Sequence, residues 1–214
     1  MYKSKYYLKK EINILMLRLY DIKKAFQLFK ELSSKDNYEL FCKKFPYIMH
    51  IILQSLKEKS LIELSKIICD EDKKSISIND ILKIYNTNKE FFKEKNYYYV
   101  KEWGTNKRKR IYTDNGDIKN KIEKLENDLK QYNNIKTFLK KYRNKKLAHN
   151  DKKYGFDKRN KYSKEKVTYY DVDRFIDILI EDVNNISSCI FGVTYVFTYD
   201  EIDEVNYIKD LLKK

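Results

Sequence analysis

The clearest helical signal in the chain is carried by residues 117–151, which read DIKNKIEKLENDLKQYNNIKTFLKKYRNKKLAHND. From Ile118 to Tyr142 an apolar residue recurs every three or four positions, with Glu and Lys on the opposite face, as in an amphipathic helix. The positions on this stripe are Ile118, Ile122, Leu125, Leu129, Tyr132, Ile135, Leu139 and Tyr142. We therefore expect one long helix from Asp117, whose carboxyl end runs into the basic segment Arg143–Asp151.

Two more apolar stripes precede this segment. The spacing of apolar residues from Leu8 to Phe29 predicts a long first helix. Asp36 is the expected cap of the next helix, and Pro46, the only proline, predicts a kink or a new helix start within it. His50 has apolar neighbours in this second helix, which favours a buried core histidine.

Capping motifs mark two further helices. Ser77–Asp80 and Thr168–Asp171 each place a hydroxyl residue three positions before a carboxylate, which is the form of a capping box. The first opens a short helix, and the second opens a long one that Gly192 ends. A terminal helix is expected over residues 200–213. The sequence thus predicts an all-α bundle of four to five main helices, folded as a single domain over residues 1–214.

Residues 86–116 interrupt the helical pattern. Their periodicity is mixed, and turn signals at Gly104 and Asp114–Gly116 indicate an insertion that contains a short hairpin or a loop. Aromatic residues alternate there with cations, the mixture expected where bases stack on rings and lysines follow a phosphate backbone. Aromatics packed against the helices would give the same composition.

The composition excludes several classes of protein. Four glycines and one proline are too few for the turns of a β-sandwich or the glycine-rich loops of a doubly wound α/β fold. The three cysteines are far apart and odd in number, which favours reduced core residues and excludes a structural zinc site. Since the sequence shows neither a membrane-spanning apolar run nor a secretory signal, we expect a cytoplasmic protein that makes no membrane contact.

The net charge of +14 is concentrated in two segments. Residues 89–112 carry eight basic and three acidic residues, and residues 139–164 carry eleven basic and two acidic ones. Elsewhere the basic and acidic residues balance at 27 each. Localised surpluses of this kind favour binding to a polyanion such as RNA, whereas a lysine-rich surface spread evenly does no more than keep a protein soluble.

The second basic segment contains a candidate for RNA cleavage. His149 follows Arg143 by six positions, with Asn144 beside the arginine. An imidazole transfers protons near neutral pH, and a guanidinium binds phosphate through two parallel hydrogen bonds. RNA supplies its own nucleophile, the ribose 2′-hydroxyl, so a protein needs only to assist proton transfer and to stabilise the added negative charge. The basic residues expected to hold RNA phosphates are Lys140, Lys141, Lys145, Lys146, Lys107, Arg108, Lys109 and Arg110.

The spacing of Arg143 and His149 raises a geometric difficulty. Six residues of an ideal helix turn by about 600°, so the two side chains point roughly 120° apart. Either the helix is distorted, or a two-fold homodimer brings two Arg143 and His149 sets into one cleft. An alternative is that His149 caps the helix carboxyl end and Arg143 pairs with a surface acid. The residues alone leave both interpretations open.

The segment Arg143-Asn-Lys-Lys-Leu-Ala-His149 at the end of a long helix resembles the R-x(4–6)-H signature of HEPN-domain proteins, including a polar residue after the arginine. Residues 60–70 and 75–78 are similar to the upstream helix and loop of HEPN members associated with bacterial abortive infection. This resemblance covers roughly residues 8–190, apart from the insertion at residues 86–116. It implies a HEPN-like helical bundle and a homodimer with a composite active site.

The resemblance also implies an activity. It is metal-independent endoribonuclease cleavage, with no cofactor, that leaves a 2′,3′-cyclic phosphate and serves phage defence or acts as a toxin. Arg143 and His149 would be catalytic and Asn144 supporting, and a cognate antitoxin or defence-system partner is expected. HEPN toxins that nucleotidyltransferases silence commonly carry a tyrosine two places after the histidine, where this chain has Asp151. Alternatives are a non-catalytic RNA- or nucleotide-binding module and a helical protein whose basic loops dock an acidic partner.

Overall fold

The computed structural model describes residues 5–70, 76–87, 96–101, 108–113, 115–148, 167–196, 206–207 and 210. Within these residues the chain forms seven helices and one two-stranded sheet. In chain order they are α1 (Lys5–Ser33), α2 (Lys35–Lys44), α3 (Pro46–Cys69), α4 (Ile78–Thr87), β1 (Asn96–Lys101), β2 (Arg108–Thr113), α5 (Asn115–Gln131), α6 (Asn133–Ala148) and α7 (Tyr169–Phe191). The five helices α1, α3, α5, α6 and α7 each exceed fifteen residues, so the predicted all-α bundle is confirmed.

One hydrophobic core joins the long helices. Helix α1 packs on α3 and α7, α3 also packs on α6, and α5 packs on α7. The residues of the first stripe are all buried, as the periodicity predicts; they are Leu8, Ile12, Leu15, Leu19, Ile22, Phe26 and Phe29. Phe26 of α1 and Phe175 of α7 are among the largest fully buried side chains, and full burial of each contributes about 1.5–3 kcal/mol.

The caps of α7 form as the sequence predicts. The hydroxyl of Thr168 accepts the Asp171 N–H, the Asp171 carboxylate accepts the Thr168 N–H at 2.8 Å, and Gly192 ends the helix at φ 65°. At α4, the Asp80 carboxylate accepts from the N–H of Ser77 at 2.9 Å. Asp36, however, does not cap α2, because that helix begins at Lys35 and Asp36 lies in its first turn.

The first half of α3 lies outside the main core. Pro46 occupies the first turn of this helix, where a missing N–H costs nothing, so the predicted helix start is found there. The predicted burial of His50 is wrong, since its side chain is exposed, as are those of Ile48 and Ile51. Met49 alone is buried in this half, in a small cluster with Leu32 of α1. The neighbouring helices therefore cover α3 on one side only here.

The predicted single helix after Asp117 is two helices. The chain turns at Tyr132, where the side-chain oxygen of Asn134 accepts the N–H of Ile135 at 2.9 Å. This local bond competes with the helical ladder, as asparagine commonly does. The ring of Tyr132 stacks on Phe175 of α7 with a centroid distance of 5.0 Å. The turn lets α5 pack on α7 while α6 packs on α3.

The insertion contains an antiparallel hairpin formed by β1 and β2. The register pairs Asn96 with Thr113 at one end and Lys101 with Arg108 at the other. Strand β1 lies against α7. Of the predicted terminal helix, residues 206–207 and 210 are helical, and the rest lies outside the described residues.

The cysteines and the helix lengths complete the description. Cys42, Cys69 and Cys189 are all free thiols and partly buried, and each packs against buried apolar residues. Among the described residues no helix combines the length and the apolar character needed to cross a bilayer.

Candidate functional site

The site is built around Arg143, near the end of α6. One terminal nitrogen of its guanidinium, Nη1, donates a hydrogen bond to Oδ1 of Asp70, the residue that follows α3. The Arg143 side chain is 16% exposed and that of Asp70 is 23% exposed. This contact is therefore a charge-assisted bond shielded from most of the solvent, which is stronger than an ion pair at the surface. It fixes the guanidinium at the junction of α3 and α6.

Several contacts hold Asp70 in place. The N–H of Asp70 donates to the carbonyl of Lys66 at 3.3 Å, which continues the helical hydrogen bonding of α3. The side-chain amide of Asn79 on α4 donates to the carbonyl of Ile68 at 3.3 Å. This bond satisfies one of the carbonyls that a helix leaves unpaired at its carboxyl end. The end of α3 is thus tied to both α4 and α6.

Arg18 of α1 adds a second tie to the same region. Its Nη1 donates to the carbonyl of Ile76 at 2.8 Å, and its Nη2 donates to the carboxylate of Glu63 on α3 at 3.1 Å. Burial tends to raise the pKa of Glu63, but hydrogen bonds from Lys66 and Arg18 lower it below its ordinary value. The carboxylate is therefore charged at neutral pH. These bonds tie α1 to α3 and to Ile76, which lies just before α4.

The outer face of α6 near Arg143 is polar and cationic. Lys140, Lys141 and Asn144 are exposed, whereas Leu139 is buried in the core. The ring of Tyr142 lies 6.1 Å from that of Phe138, and both rings pack against the core. The apolar face of α6 therefore anchors the helix, and the opposite face offers cations and an amide to solvent.

Cys69 lies beside this site but is not an activated thiol. Its thiol donates to the carbonyl of Lys136 on α6 at 3.7 Å. Burial raises the pKa of Cys69, and this effect outweighs a hydrogen bond with Ser65 and the positive charges of Lys136 and Arg143, which lower it. A thiol that stays protonated is a poor nucleophile. Cys69 is therefore a packing residue at the α3–α6 contact.

Of the site residues predicted from the sequence, the structure describes some with their side chains and some by their backbone only, and others lie outside the described residues. Arg143, Asn144, Lys140 and Lys141 lie together on α6. His149 directly follows α6 in the sequence and lies outside the described residues, as does Lys107. The remaining candidates are placed by their backbones, Lys145 and Lys146 in α6 and Arg108, Lys109 and Arg110 in β2.

Asp70 is the residue that the sequence analysis missed. Asp70, which lies 73 positions away in the chain, is the acid with which Arg143 pairs. A signal was present, since Asp70 ends the segment 60–70 that resembles HEPN members. Among the described residues, no group of three or more His, Cys, Asp or Glu side chains is arranged to hold a metal ion.

Comparison with known proteins gives one match. A family model for HEPN domains, described as AbiU2, matches residues 6–211. Searches of curated proteins and of solved structures found no match. The family match spans nearly the whole chain, including α3 and α6, which carry Asp70 and Arg143. The HEPN resemblance predicted from residues 143–149 is thereby confirmed, and the chain belongs to the AbiU2 family of HEPN domains, which is associated with abortive infection.

Proposed function

We propose that this protein is a metal-independent endoribonuclease that cleaves RNA by attack of a 2′-hydroxyl on the adjacent phosphate. The observation that carries the proposal is the Arg143 guanidinium, held by Asp70 near the end of α6 in a chain of the HEPN family. The guanidinium contacts Asp70 through Nη1. Since a guanidinium has five N–H donors, such a contact leaves donors for a phosphate.

The reaction needs two proton transfers and stabilisation of negative charge. The 2′-oxygen loses its proton and bonds to phosphorus, and the 5′-oxygen of the next nucleotide leaves and takes up a proton. The products are a 2′,3′-cyclic phosphate and a 5′-hydroxyl end. The His149 imidazole accepts the proton of the 2′-hydroxyl, and the imidazolium so formed gives a proton to the leaving 5′-oxygen, while Arg143 stabilises the charge on the pentacoordinate phosphate. Asn144 supports Arg143, and the cations of α6 hold the flanking phosphates.

A homodimer completes the site in this proposal. Helix α6 extends through Ala148, so most of the span between Arg143 and His149 keeps helical geometry. In that geometry the two side chains diverge by roughly 120°. This favours a site shared between two chains over a distorted helix. The two Arg143 and His149 sets would then meet in one cleft, where the arginine of each chain acts with the histidine of the other.

The first experiment incubates the purified full-length protein with mixed RNA in excess EDTA and maps the product ends. We expect cyclic phosphate ends from the wild type and a loss of about a hundredfold or more in rate for His149→Ala and Arg143→Ala. The matched controls are His50→Ala, at an exposed histidine of α3, and Arg174→Ala, at an exposed arginine of α7. Cleavage that survives in His149→Ala, or that stops in EDTA, would contradict the proposal.

A mixing experiment tests the shared site. His149→Ala and Arg143→Ala are each expected to be inactive alone. Mixed and allowed to exchange subunits, they should recover part of the activity, because the shared cleft of the mixed dimer holds an intact arginine from one chain and an intact histidine from the other. No recovery in a sample shown to contain mixed dimers would place both residues of the site in one chain.

The ion pair itself favours a second candidate function. Asp70 already supplies an anion to Arg143, as expected in a non-catalytic RNA- or nucleotide-binding module where this arginine has a structural role. Such a module would bind RNA with a steep salt dependence and show no cleavage to lose in His149→Ala. The biological role that we propose for the nuclease is phage defence or toxicity, controlled by a cognate antitoxin or defence-system partner.

A further inference from the structure

The β1–β2 hairpin separates its residues into two chemically different faces. In an antiparallel pair, two directly opposed residues form a rung and lie on the same face of the sheet. Successive rungs lie on opposite faces. One face takes the rungs Tyr97 with Tyr112, Tyr99 with Arg110, and Lys101 with Arg108. The other takes Asn96 with Thr113, Tyr98 with Ile111, and Val100 with Lys109. The register thus assigns three tyrosines and three cations to the first face, which we call the tyrosine–cation face.

The order of rungs on the tyrosine–cation face is graded. It runs from two tyrosines, through a tyrosine and an arginine, to a lysine and an arginine. Successive residues on one face of a strand are separated by roughly 6.8 Å. The face therefore has aromatic residues at one end and basic residues at the other, and the two strands carry four basic and no acidic residues.

The second face has a different composition. Its middle rung is Tyr98 with Ile111, and Val100 follows on the same face. An isolated two-stranded hairpin is marginally stable in water and needs packing against another element. Strand β1 lies against α7, which supplies such an element. The contact with α7 therefore supports the hairpin, and the grouping of three tyrosines with three cations on one face is a separate feature of its register.

We propose that the tyrosine–cation face binds single-stranded RNA, with unpaired bases stacked on Tyr97, Tyr99 and Tyr112 and phosphates held by the three cations. Aromatic rings bind unpaired bases with little regard to sequence, and nearby cations hold the strand. Bases within a duplex have no free ring face to offer, so the substrate class is RNA with an unpaired segment. This inference rests on the proposed function for the choice of RNA over DNA.

The test measures binding to a labelled single strand of RNA that is fully 2′-O-methylated, so that it offers no nucleophile for cleavage. The key comparison is between Arg110→Gln and Lys109→Gln, which remove the same charge from adjacent residues of β2 on opposite faces. We expect about a fivefold or greater loss of affinity for Arg110→Gln and less than about a twofold loss for Lys109→Gln. Equal losses in the two variants would overturn the proposal, because net charge alone would then explain binding.

A second comparison tests stacking. Tyr99→Thr keeps a residue suited to a strand but removes the ring, and should weaken binding about tenfold, whereas Tyr99→Phe should retain it within about twofold. The wild type should bind the single strand more tightly than a duplex or an abasic strand of the same length. Equal affinity for the abasic strand, or no effect of Tyr99→Thr, would refute base stacking on this face.

These outcomes are separate from those of the nuclease test. If Arg110→Gln and Tyr99→Thr bind as well as the wild type while His149-dependent cleavage persists, the hairpin inference fails and the proposed function stands. If the variants lose binding as expected and no cleavage is found with any unmodified RNA, the nuclease proposal fails and the hairpin inference stands.

Discussion

Replacing Asp173 with alanine should destabilise the bundle, because it removes one of two acceptors from the buried ammonium group of Lys23. The Lys23 side chain on α1 is only 4% exposed, and its Nζ lies 2.9 Å from Asp173 and 2.7 Å from Asp177, both on α7. Asp173 is 14% exposed and also accepts from Lys30 at 2.5 Å. Removing one partner of a buried ion pair typically lowers the free energy of unfolding by about 3–5 kcal/mol.

The expected loss for Asp173→Ala is smaller than that range. Asp177 remains as an acceptor for Lys23, but its side chain is 56% exposed, so it compensates incompletely. We therefore expect the free energy of unfolding to fall by about 2–3 kcal/mol, measured by urea denaturation at pH 7. Asp177→Ala is the matched control and should cost less than about 1 kcal/mol. A loss below about 0.5 kcal/mol for Asp173→Ala would refute the argument that this pair matters to the fold.

The pH dependence of the same variant gives an independent check. Burial tends to raise the pKa of Asp173, but hydrogen bonds from Lys30 and Lys23 outweigh it and lower that pKa below its ordinary value of 3.8. A carboxyl whose pKa is lower in the folded state stabilises the fold above the ordinary pKa, and this contribution is lost as the pH falls. The difference in stability between the wild type and Asp173→Ala should therefore shrink below about pH 4. A difference that stays constant down to pH 2 would contradict the linkage.

Three further substitutions test the site and the ends of α7. Asp70→Asn weakens the hold on Arg143 and should lower the rate of RNA cleavage about tenfold to a hundredfold, whereas Asp36→Asn at an exposed position of α2 should not change it. Thr168→Ala removes the capping hydroxyl of α7 and should cost about 1 kcal/mol in urea denaturation, and Thr168→Asp should cost less. Gly192→Ala forces a Cβ into a left-handed conformation at φ 65° and should cost about 1 kcal/mol in the same assay, with a smaller cost for Gly192→Asn. Equal losses for alanine and the alternative residue at either end of α7 would show that capping is not the cause.

Local patterns predicted the elements well because their causes are local. The stripe from Leu8 to Phe29 is buried along its whole length, and Thr168 and Gly192 bound α7 as their side chains and backbone preferences require. The capping prediction for Asp36 failed for an equally local reason. The hydroxyl of Ser34 donates back to the carbonyl of Glu31 at 2.8 Å, so the junction of α1 and α2 uses different bonds.

Features that depend on distant partners could not be predicted. Apolar residues surround His50 in the sequence, but whether α3 is covered there depends on where α1 and α2 end, so Ile48 and Ile51 are exposed together with the histidine. The partner of Arg143 could be inferred only as some acid, because Asp70 comes near it through the packing of α3 on α6. A periodic pattern specifies which face of a helix is apolar and leaves open which element covers that face.

The turn at Tyr132 divides the single helix predicted after Asp117 into α5 and α6, and α6 carries Arg143. A straight helix from α5 onward would carry position 143 roughly 17 Å past Tyr132 along the axis that packs on α7. At Tyr132 the N–H of Lys136 still donates to the Tyr132 carbonyl at 3.1 Å, whereas the side chain of Asn134 accepts the N–H of Ile135, so a local bond interrupts the regular helical ladder between α5 and α6. Beyond this turn helix α6 packs on α3, and that contact brings Arg143 to Asp70. The turn at Tyr132 thus separates the helix that packs on α7 from the helix that carries the guanidinium.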